Sequence, residues 1–222
     1  MRRQQAILFD LGGTLLYPDF PFVAEQLRLR GQEIHLDPFL HALSVASNRM
    51  DAYMQLHASN DATRVPVYIT YLLEALEVRT GIAGLVNDII MARHRTVNFW
   101  NYLLAGTLPL LGRLRERYRL AMISNSDGRA EAKAAQYGIS PYLEFVMDSH
   151  LVGLEKPDPR IFHLACRQLG LPPADCVYVG DIYSIDVLGA RAAGLQPVLI
   201  DRTGTPREDC RVIRSIFELD NP

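Results

Sequence analysis

The chain has 222 residues, of which 49% are hydrophobic and 22% are charged, and its net charge at pH 7 is −2. A chain of this length and apolar content can bury a substantial core, either as one large domain or as a core with a small insertion. The small net charge gives no electrostatic reason to expect nucleic acid or an anionic membrane as a partner.

The cysteines and the first residues bear on the cellular location. Cys166, Cys176 and Cys210 are far apart in the sequence and form no CxxC pair, which is typical of reduced thiols in a cytoplasmic protein. The opening sequence MRRQQAILFD has too few consecutive apolar residues for a signal peptide or a membrane span. We therefore expect a cytoplasmic protein, which could be a monomer or a homodimer.

Short apolar runs that end on polar residues predict the strands of a sheet. The first covers residues 5–9 and leads through Asp10 to the pair Gly12-Gly13, which indicates a buried strand followed by a sharp loop. The later runs are residues 120–123, 145–147, 176–179 and 197–200.

Helical patterns alternate with these runs, at residues 108–118, 128–137, 159–169 and 184–193. The third of them has Asp158 as a predicted N-cap and Pro159 at the first helical position. Alternation of strand and helix predicts an α/β fold, a doubly wound and mainly parallel sheet with helices on both faces.

A long segment interrupts this alternation. Residues 18–98 have a helical pattern throughout, with scattered prolines and glycines between the helices. We interpret them as a helical cap domain inserted into a core formed by residues 1–17 and 99–222.

Polar residues follow the predicted strands at the edge where doubly wound sheets bind ligands. Asp10 follows the first strand and Asp181 the fourth; Ser124 and Asn125 follow the second, and Lys156 lies on the loop after the third. Each alone has an ordinary explanation as a turn, cap or solvated residue. Their convergence at one edge predicts a functional site.

Four segments resemble the motifs of the haloacid dehalogenase-like (HAD) hydrolase superfamily, in order and in spacing. They are FDLGGTL (9–15), ISNS (123–126), GLEKPDPRIF (153–162) and VGDIYSIDVLGARAAG (179–194). The resemblance covers nearly the whole chain and implies a Rossmann-like core. The helical block is similar to the cap of one subgroup of this superfamily.

The resemblance implies a Mg²⁺-dependent phosphatase-type hydrolase of small phosphorylated metabolites. Asp10 would attack phosphorus and form an aspartyl-phosphate. Asp10, Asp181 and the backbone carbonyl of Gly12 would hold Mg²⁺ through hard oxygen ligands.

The remaining motif residues would bind phosphate or support the site. Lys156 would offer a positive charge to Asp10 and to the transferring phosphoryl group, and Ser124 with the amide of Asn125 would donate hydrogen bonds to phosphate oxygens. Thr14 would support the loop of the nucleophile. Asp186 would lie near Lys156 or near a metal-bound water.

The sequence departs from the family pattern at Gly12. Phosphatases of this family usually carry a second Asp there, which protonates the leaving oxygen and then activates water. Such acid–base help is worth about 10²- to 10⁴-fold in rate. A cap residue could replace it, or a substrate with a good leaving group, such as an acyl or aryl phosphate, would need it less. The cap candidates are Asp19, Glu25, Arg93 and His94.

Two alternatives remain open because of this departure. Family members without the second Asp include phosphonate-cleaving enzymes, but these need a cap lysine and residues 18–98 contain none. Haloacid dehalogenases need no metal and usually lack the Gly-Asp pair that is present here as Gly180-Asp181. A 2-haloacid dehalogenase-type hydrolase and a catalytically impaired binding or regulatory protein are therefore the alternatives to a phosphatase.

Overall fold

The computed structural model describes residues 4–57 and 61–220. Parts of the predicted domains, namely residues 1–3, 58–60 and 221–222, lie outside this description. The chain divides into two compact units, one formed by Met1–Leu15 with Leu103–Pro222 and the other by Leu16–Tyr102. The predicted insertion, residues 18–98, falls within the second unit.

The strands are β1 (Ala6–Phe9), β2 (Tyr17–Pro18), β3 (Trp100–Tyr102), β4 (Arg119–Ser124), β5 (Val146–Asp148), β6 (Cys176–Gly180), β7 (Gln196–Ile200) and β8 (Arg211–Ile213). The α-helices are α1 (Phe20–Arg28), α2 (Leu36–Leu56), α3 (Asp61–Ala75), α4 (Thr80–His94), α5 (Thr107–Arg115), α6 (Ala130–Gln136), α7 (Ser149–Val152), α8 (Pro159–Leu169) and α9 (Leu188–Ala192).

A parallel sheet in the order β5-β4-β1-β6-β7-β8 forms the centre of the first unit. The chain starts in the middle at β1, continues outwards through β4 and β5, and then returns to build β6, β7 and β8 on the other side. The predicted doubly wound α/β fold is confirmed. In such sheets a ligand site forms where the direction of winding changes, which here is between β1 and β6.

The apolar run of β1 is buried at every residue because the strand lies between β4 and β6. Helix α8 is one of the elements that cover the sheet, and its buried residues Ile161 and Phe162 share a hydrophobic cluster with Leu8 and Tyr178. Asp158 caps this helix by accepting a hydrogen bond from the backbone N–H of Arg160. The predicted N-cap is thus confirmed.

Strands β2, β3 and β8 and one irregular turn were not predicted from the sequence. Strand β8 extends the sheet at its edge, and β2 pairs with β3 in an antiparallel ladder. Strand β2 has only two residues, and β3 and β8 each contain at most one buried residue, so none of them forms a buried apolar run of the kind that predicted the other strands. The helix predicted at 184–193 begins as a π-helical turn, Tyr183–Val187, before α9.

The second unit contains α1 to α4 and the short β2–β3 ladder. Its first and last segments are joined by the buried Asp19, the N-cap of α1. Asp19 Oδ1 accepts from the backbone N–H of Phe22 (3.2 Å), and Oδ2 accepts from Arg93 Nε (3.0 Å), Arg93 Nη2 (2.9 Å) and Asn101 Nδ2 (2.9 Å). None of the helices in the described ranges combines the length and apolarity needed to span a membrane.

Candidate active site

The site begins where β1 and β6 end. The backbone N–H of Asp10 donates to the carbonyl of Val179 at 2.9 Å, so the pairing of the two strands continues as far as the carboxylate-bearing residue. Gly13 has a φ of +81°, and a Cβ at this position would lie 2.3 Å from Asp181 Oδ2. A glycine is therefore required for the β1 loop to approach the Asp181 carboxylate.

Lys156 supplies the positive charge of the site. Its Nζ donates to Asp10 Oδ1 at 2.6 Å, to Asp186 Oδ1 at 2.7 Å and to Tyr178 Oη at 2.8 Å. An ammonium group has three N–H donors, and here each has its own acceptor. Because Lys156 is only 4% exposed, this complete set of partners offsets the loss of hydration.

Asn125 holds the backbone around Lys156. Its Nδ2 donates to the Lys156 carbonyl and its Oδ1 accepts from the Lys156 backbone N–H, both at 2.9 Å. The side chain of Asn125 thus fixes the loop that carries the lysine, a role that the sequence did not suggest. Ser124 ends β4 and is 4% exposed.

Three carboxylates converge beside this lysine. Asp10, Asp181 and Asp186 each offer an oxygen, and these oxygens all lie within 4.8 Å of one another. Asp186 Oδ2 accepts from the backbone N–H groups of Asp181 (3.1 Å) and Ile182 (3.0 Å), which fixes its carboxylate. Hard oxygen donors of this kind suit Mg²⁺.

Gly180 allows Asp186 to come so close to the end of β6. A Cβ at Gly180 would lie 2.3 Å from Asp186 Cγ. Any side chain at this position would therefore displace Asp186, and with it one of the acceptors of Lys156.

Burial dominates the protonation chemistry of the site. It raises the pKa of Asp10 to about 6; Lys156 opposes this rise, and the neighbouring Asp186 adds to it. Burial alone would lower the pKa of Lys156, but the carboxylates of Asp10 and Asp186 raise it well above its ordinary value. Lys156 is therefore an ammonium group at neutral pH, and Asp10 is mostly ionised.

Two further residues of the predicted site lie in the loop after β1. Thr14 is fully buried, and its Oγ1 has no hydrogen-bond partner within residues 4–57 and 61–220. Gly12 brings no side chain, so its possible contribution is its backbone carbonyl.

Tyr178 belongs to the site but was missed from the sequence. Its hydroxyl accepts from Lys156 and donates to the carbonyl of Ile123 at 3.2 Å, and its ring packs edge-on against Phe162. A tyrosine inside a buried strand needs a partner for its hydroxyl. The sequence contained this signal, because Tyr178 lies inside the fourth predicted strand, two residues before Gly180. A buried tyrosine at that position indicates a polar partner near the end of the strand.

The residues considered as substitutes for the missing acid–base group have partners inside the second unit. Asp19 is paired with Arg93, as described above, and Glu25 pairs with Arg28 at 2.8 Å. His94 Nδ1 accepts from the backbone N–H of Phe99 at 3.0 Å. These contacts lie within the second unit, and a role of these residues as the proton donor stays a prediction.

A family model described as haloacid dehalogenase-like hydrolase matches residues 4–194. The chain belongs to this family. The prediction of a HAD hydrolase, drawn from the four motifs, is thereby confirmed.

Relatives extend the comparison. A glyceraldehyde 3-phosphate phosphatase of Methanopyrus kandleri is 30% identical over 224 residues, which cover 98% of this chain and 94% of that protein. The mouse haloacid dehalogenase-like hydrolase domain-containing protein 3 is 36% identical over 101 residues. That match covers 46% of this chain and only 40% of the mouse protein.

A solved structure shows the same fold. The HAD-hydrolase YfnB of Bacillus subtilis, bound to magnesium, superposes with a TM-score of 0.66 at 19% identity, over 98% of this chain and 97% of that one. At this identity the likeness concerns the fold alone.

Proposed function

We propose that this protein is a Mg²⁺-dependent phosphatase-type hydrolase of small phosphorylated metabolites in the cytoplasm, with the helical unit as its cap. The observation that carries the proposal is the cluster at the winding change of the sheet. There the ammonium group of Lys156 lies between Asp10 and Asp186, beside the third carboxylate of Asp181.

Asp10 is the proposed nucleophile. One of its carboxylate oxygens forms a bond to phosphorus while the bond from phosphorus to the leaving oxygen breaks, and the bonding electrons depart with that oxygen. Water then attacks the aspartyl-phosphate and releases phosphate, which restores Asp10. A pKa of about 6 leaves Asp10 mainly ionised at pH 7, as a nucleophile must be.

The surrounding residues position and neutralise the phosphoryl group. Lys156 lowers the repulsion between the Asp10 carboxylate and the incoming anion, and Ser124 with the backbone amide of Asn125 donates hydrogen bonds to phosphoryl oxygens. Thr14, with its buried hydroxyl, supports the loop of Asp10. Such reactions depend on positioning and on charge neutralisation more than on any other contribution.

The donor set fits a divalent cation. Three carboxylates and one ammonium group carry a formal charge of −2 when all are ionised, the charge that Mg²⁺ would balance. Asp10, Asp181 and the Gly12 carbonyl would hold the ion, while Asp186 keeps its bond to Lys156. When bound, Mg²⁺ supplies positive charge next to the phosphoryl oxygens.

The comparisons support the substrate class. The Methanopyrus kandleri relative is named for a phosphatase of a small sugar phosphate and aligns with nearly all of this chain. Because Gly12 offers no proton to the leaving oxygen, we expect the fastest hydrolysis with acyl or aryl phosphates.

The test is hydrolysis of an aryl phosphate by the full chain, with Mg²⁺ or with a chelator, beside the variant Asp10→Asn. The proposal expects phosphate release that needs Mg²⁺ and disappears in the variant. Release of halide from a 2-haloacid in the presence of chelator would instead identify a dehalogenase. Mg²⁺-dependent binding of phosphate esters without turnover would indicate the binding or regulatory alternative.

A further inference from the structure

A cavity lies at the β8 edge of the sheet, in the part of the chain that follows β7. Its volume is about 380 Å³, and it is lined by Pro206, Arg207, Val212, Ile213, Arg214 and Glu218. None of these residues belongs to the cluster around Lys156, and the family motifs end before all of them. The cavity therefore lies outside the cluster on which the function proposed above rests.

Arg207 is the most informative residue of this cavity. Its Nε is buried and has no hydrogen-bond partner in the described ranges. Its guanidinium group lies over the ring of Tyr183, with Cζ 4.1 Å from the ring centroid. Stacking of this kind uses the face of the guanidinium group and leaves the terminal Nη1 and Nη2 donors in its plane available for a ligand.

The acidic residues nearby are already engaged by other donors. Asp209 Oδ2 accepts from Tyr183 Oη at 2.7 Å and from Arg191 Nη1 at 2.6 Å. Glu218 Oε1 accepts from the backbone N–H groups of Arg214 (2.7 Å) and Ser215 (3.1 Å). No carboxylate within residues 4–57 and 61–220 accepts a hydrogen bond from Arg207 Nε.

Arg214 adds a second guanidinium group to the same cavity. No ion pair or side-chain hydrogen bond of Arg214 occurs within residues 4–57 and 61–220. Its Nη2 lies close to Gly204, where an added Cβ would be 3.2 Å away and where φ is +73°. The glycine gives the guanidinium group room beside the loop.

We propose that this cavity is a binding site for a small organic anion, whose phosphate or carboxylate group is held by Arg207 and Arg214. Guanidinium groups match the planar geometry of such oxyanions and bind them through paired hydrogen bonds. The apolar part of the ligand would pack against Pro206 and Val212. Because Arg207 Nε is buried, the terminal Nη1 and Nη2 groups of Arg207 would bind the anion, and the neighbouring Nε–Hε group would report the binding.

The test follows the arginine Nε–Hε resonances by NMR while inorganic phosphate or malonate is added in the presence of chelator. The Arg207 signal is assigned by its absence in Arg207→Gln. We expect it to shift saturably with at least one anion, and the active anion distinguishes a phosphate site from a carboxylate site. A signal that moves with neither anion would overturn the proposal.

Calorimetry on variants supplies the second measurement. Arg207→Gln and Arg214→Gln should each weaken binding about tenfold. Arg207→Lys should have an intermediate effect, because lysine keeps the positive charge but lacks the paired, coplanar N–H donors of a guanidinium group. Arg167→Gln, a change at an exposed arginine of α8, is the control for net charge and should bind as the wild type does. Equal affinity in all four variants would place any bound anion elsewhere. Because Arg214 is exposed, its variant tests the site even if Arg207→Gln folds poorly.

Discussion

Two buried charge clusters, one in each unit, use carboxylates in opposite ways. In the helical unit, Asp19 receives four hydrogen bonds, and its charge is balanced by Arg93. In the core, the site cluster comprises Asp10, Asp181, Asp186 and Lys156, and two of its carboxylates, Asp10 and Asp186, share the one ammonium group. A balanced cluster serves the fold. Uncompensated negative charge costs stability and is typical of a functional site.

The sharpest test of this contrast exchanges a charge for an amide in each cluster. Asp10→Asn should reduce turnover by roughly 10⁴-fold or more, because the nucleophile is lost, and should leave the free energy of unfolding equal or higher. Asp19→Asn should instead lower the free energy of unfolding by about 1–3 kcal/mol and change kcat less than tenfold. Urea denaturation and aryl phosphate hydrolysis measure the two effects. If the two variants show the same changes in turnover and in the free energy of unfolding, the distinction between a structural cluster and a functional cluster is wrong.

A second change adds a carboxyl group to the site cluster. Gly12→Asp should accelerate the hydrolysis of alkyl phosphates by about 10²- to 10⁴-fold, because it supplies a proton to a poor leaving group. Aryl phosphates, which need less protonation, should gain much less.

Gly12→Asn is the matched control for this change. It adds a side chain of the same size that cannot act as a general acid at neutral pH. Steady-state kinetics with both substrate types would reveal the difference, and an equal response to Asp and Asn would show that the missing proton donor does not limit the rate.

The pH dependence of stability provides a third test. Folding raises the pKa of Asp10 from 3.8 to about 6, so between these values the folded protein binds a proton that the unfolded chain has lost. The free energy of unfolding therefore falls as pH rises through this window. The contribution is about 2–3 kcal/mol, measured by urea denaturation with chelator present.

Asp10→Asn should remove this part of the pH dependence. Mg²⁺ should restore stability above pH 6, because the cation binds the ionised carboxylates and adds binding energy to the folded state. An identical pH dependence in wild type and variant would exclude Asp10 as its source.

The smallest expected effect concerns Tyr178, the neutral partner of Lys156. Tyr178→Phe leaves one N–H of the buried ammonium group without an acceptor, which should lower kcat about tenfold and the free energy of unfolding by about 1–2 kcal/mol. Tyr142→Phe, at a partly exposed position, is the control. A positioning role predicts that kcat falls while KM for the aryl phosphate stays nearly constant. A fall in stability alone would assign Tyr178 to the core.

Much of the core could be predicted because its signals are local. The apolar runs that became β1, β4, β6 and β7 each end on polar residues. Parallel strands present their carboxyl ends at one edge, so the approximate meeting place of Asp10 and Asp181 followed from the order of the strands. Strand β8 and the β2–β3 ladder could not be recognised, because β2 has only two residues and β3 and β8 each bury at most one residue, which leaves no apolar run to detect.

The sequence by itself determined the family, the winding of the sheet and the residue types available at its edge. Only the tertiary structure decided how they are paired: Lys156 bonds to Asp10 across 146 positions of sequence and to Tyr178 across 22. The physical reason is that crossover connections bring strands that are distant in the sequence side by side. A hydrogen-bond donor pairs with the acceptor that lies nearest in space, and a local sequence pattern does not encode that proximity.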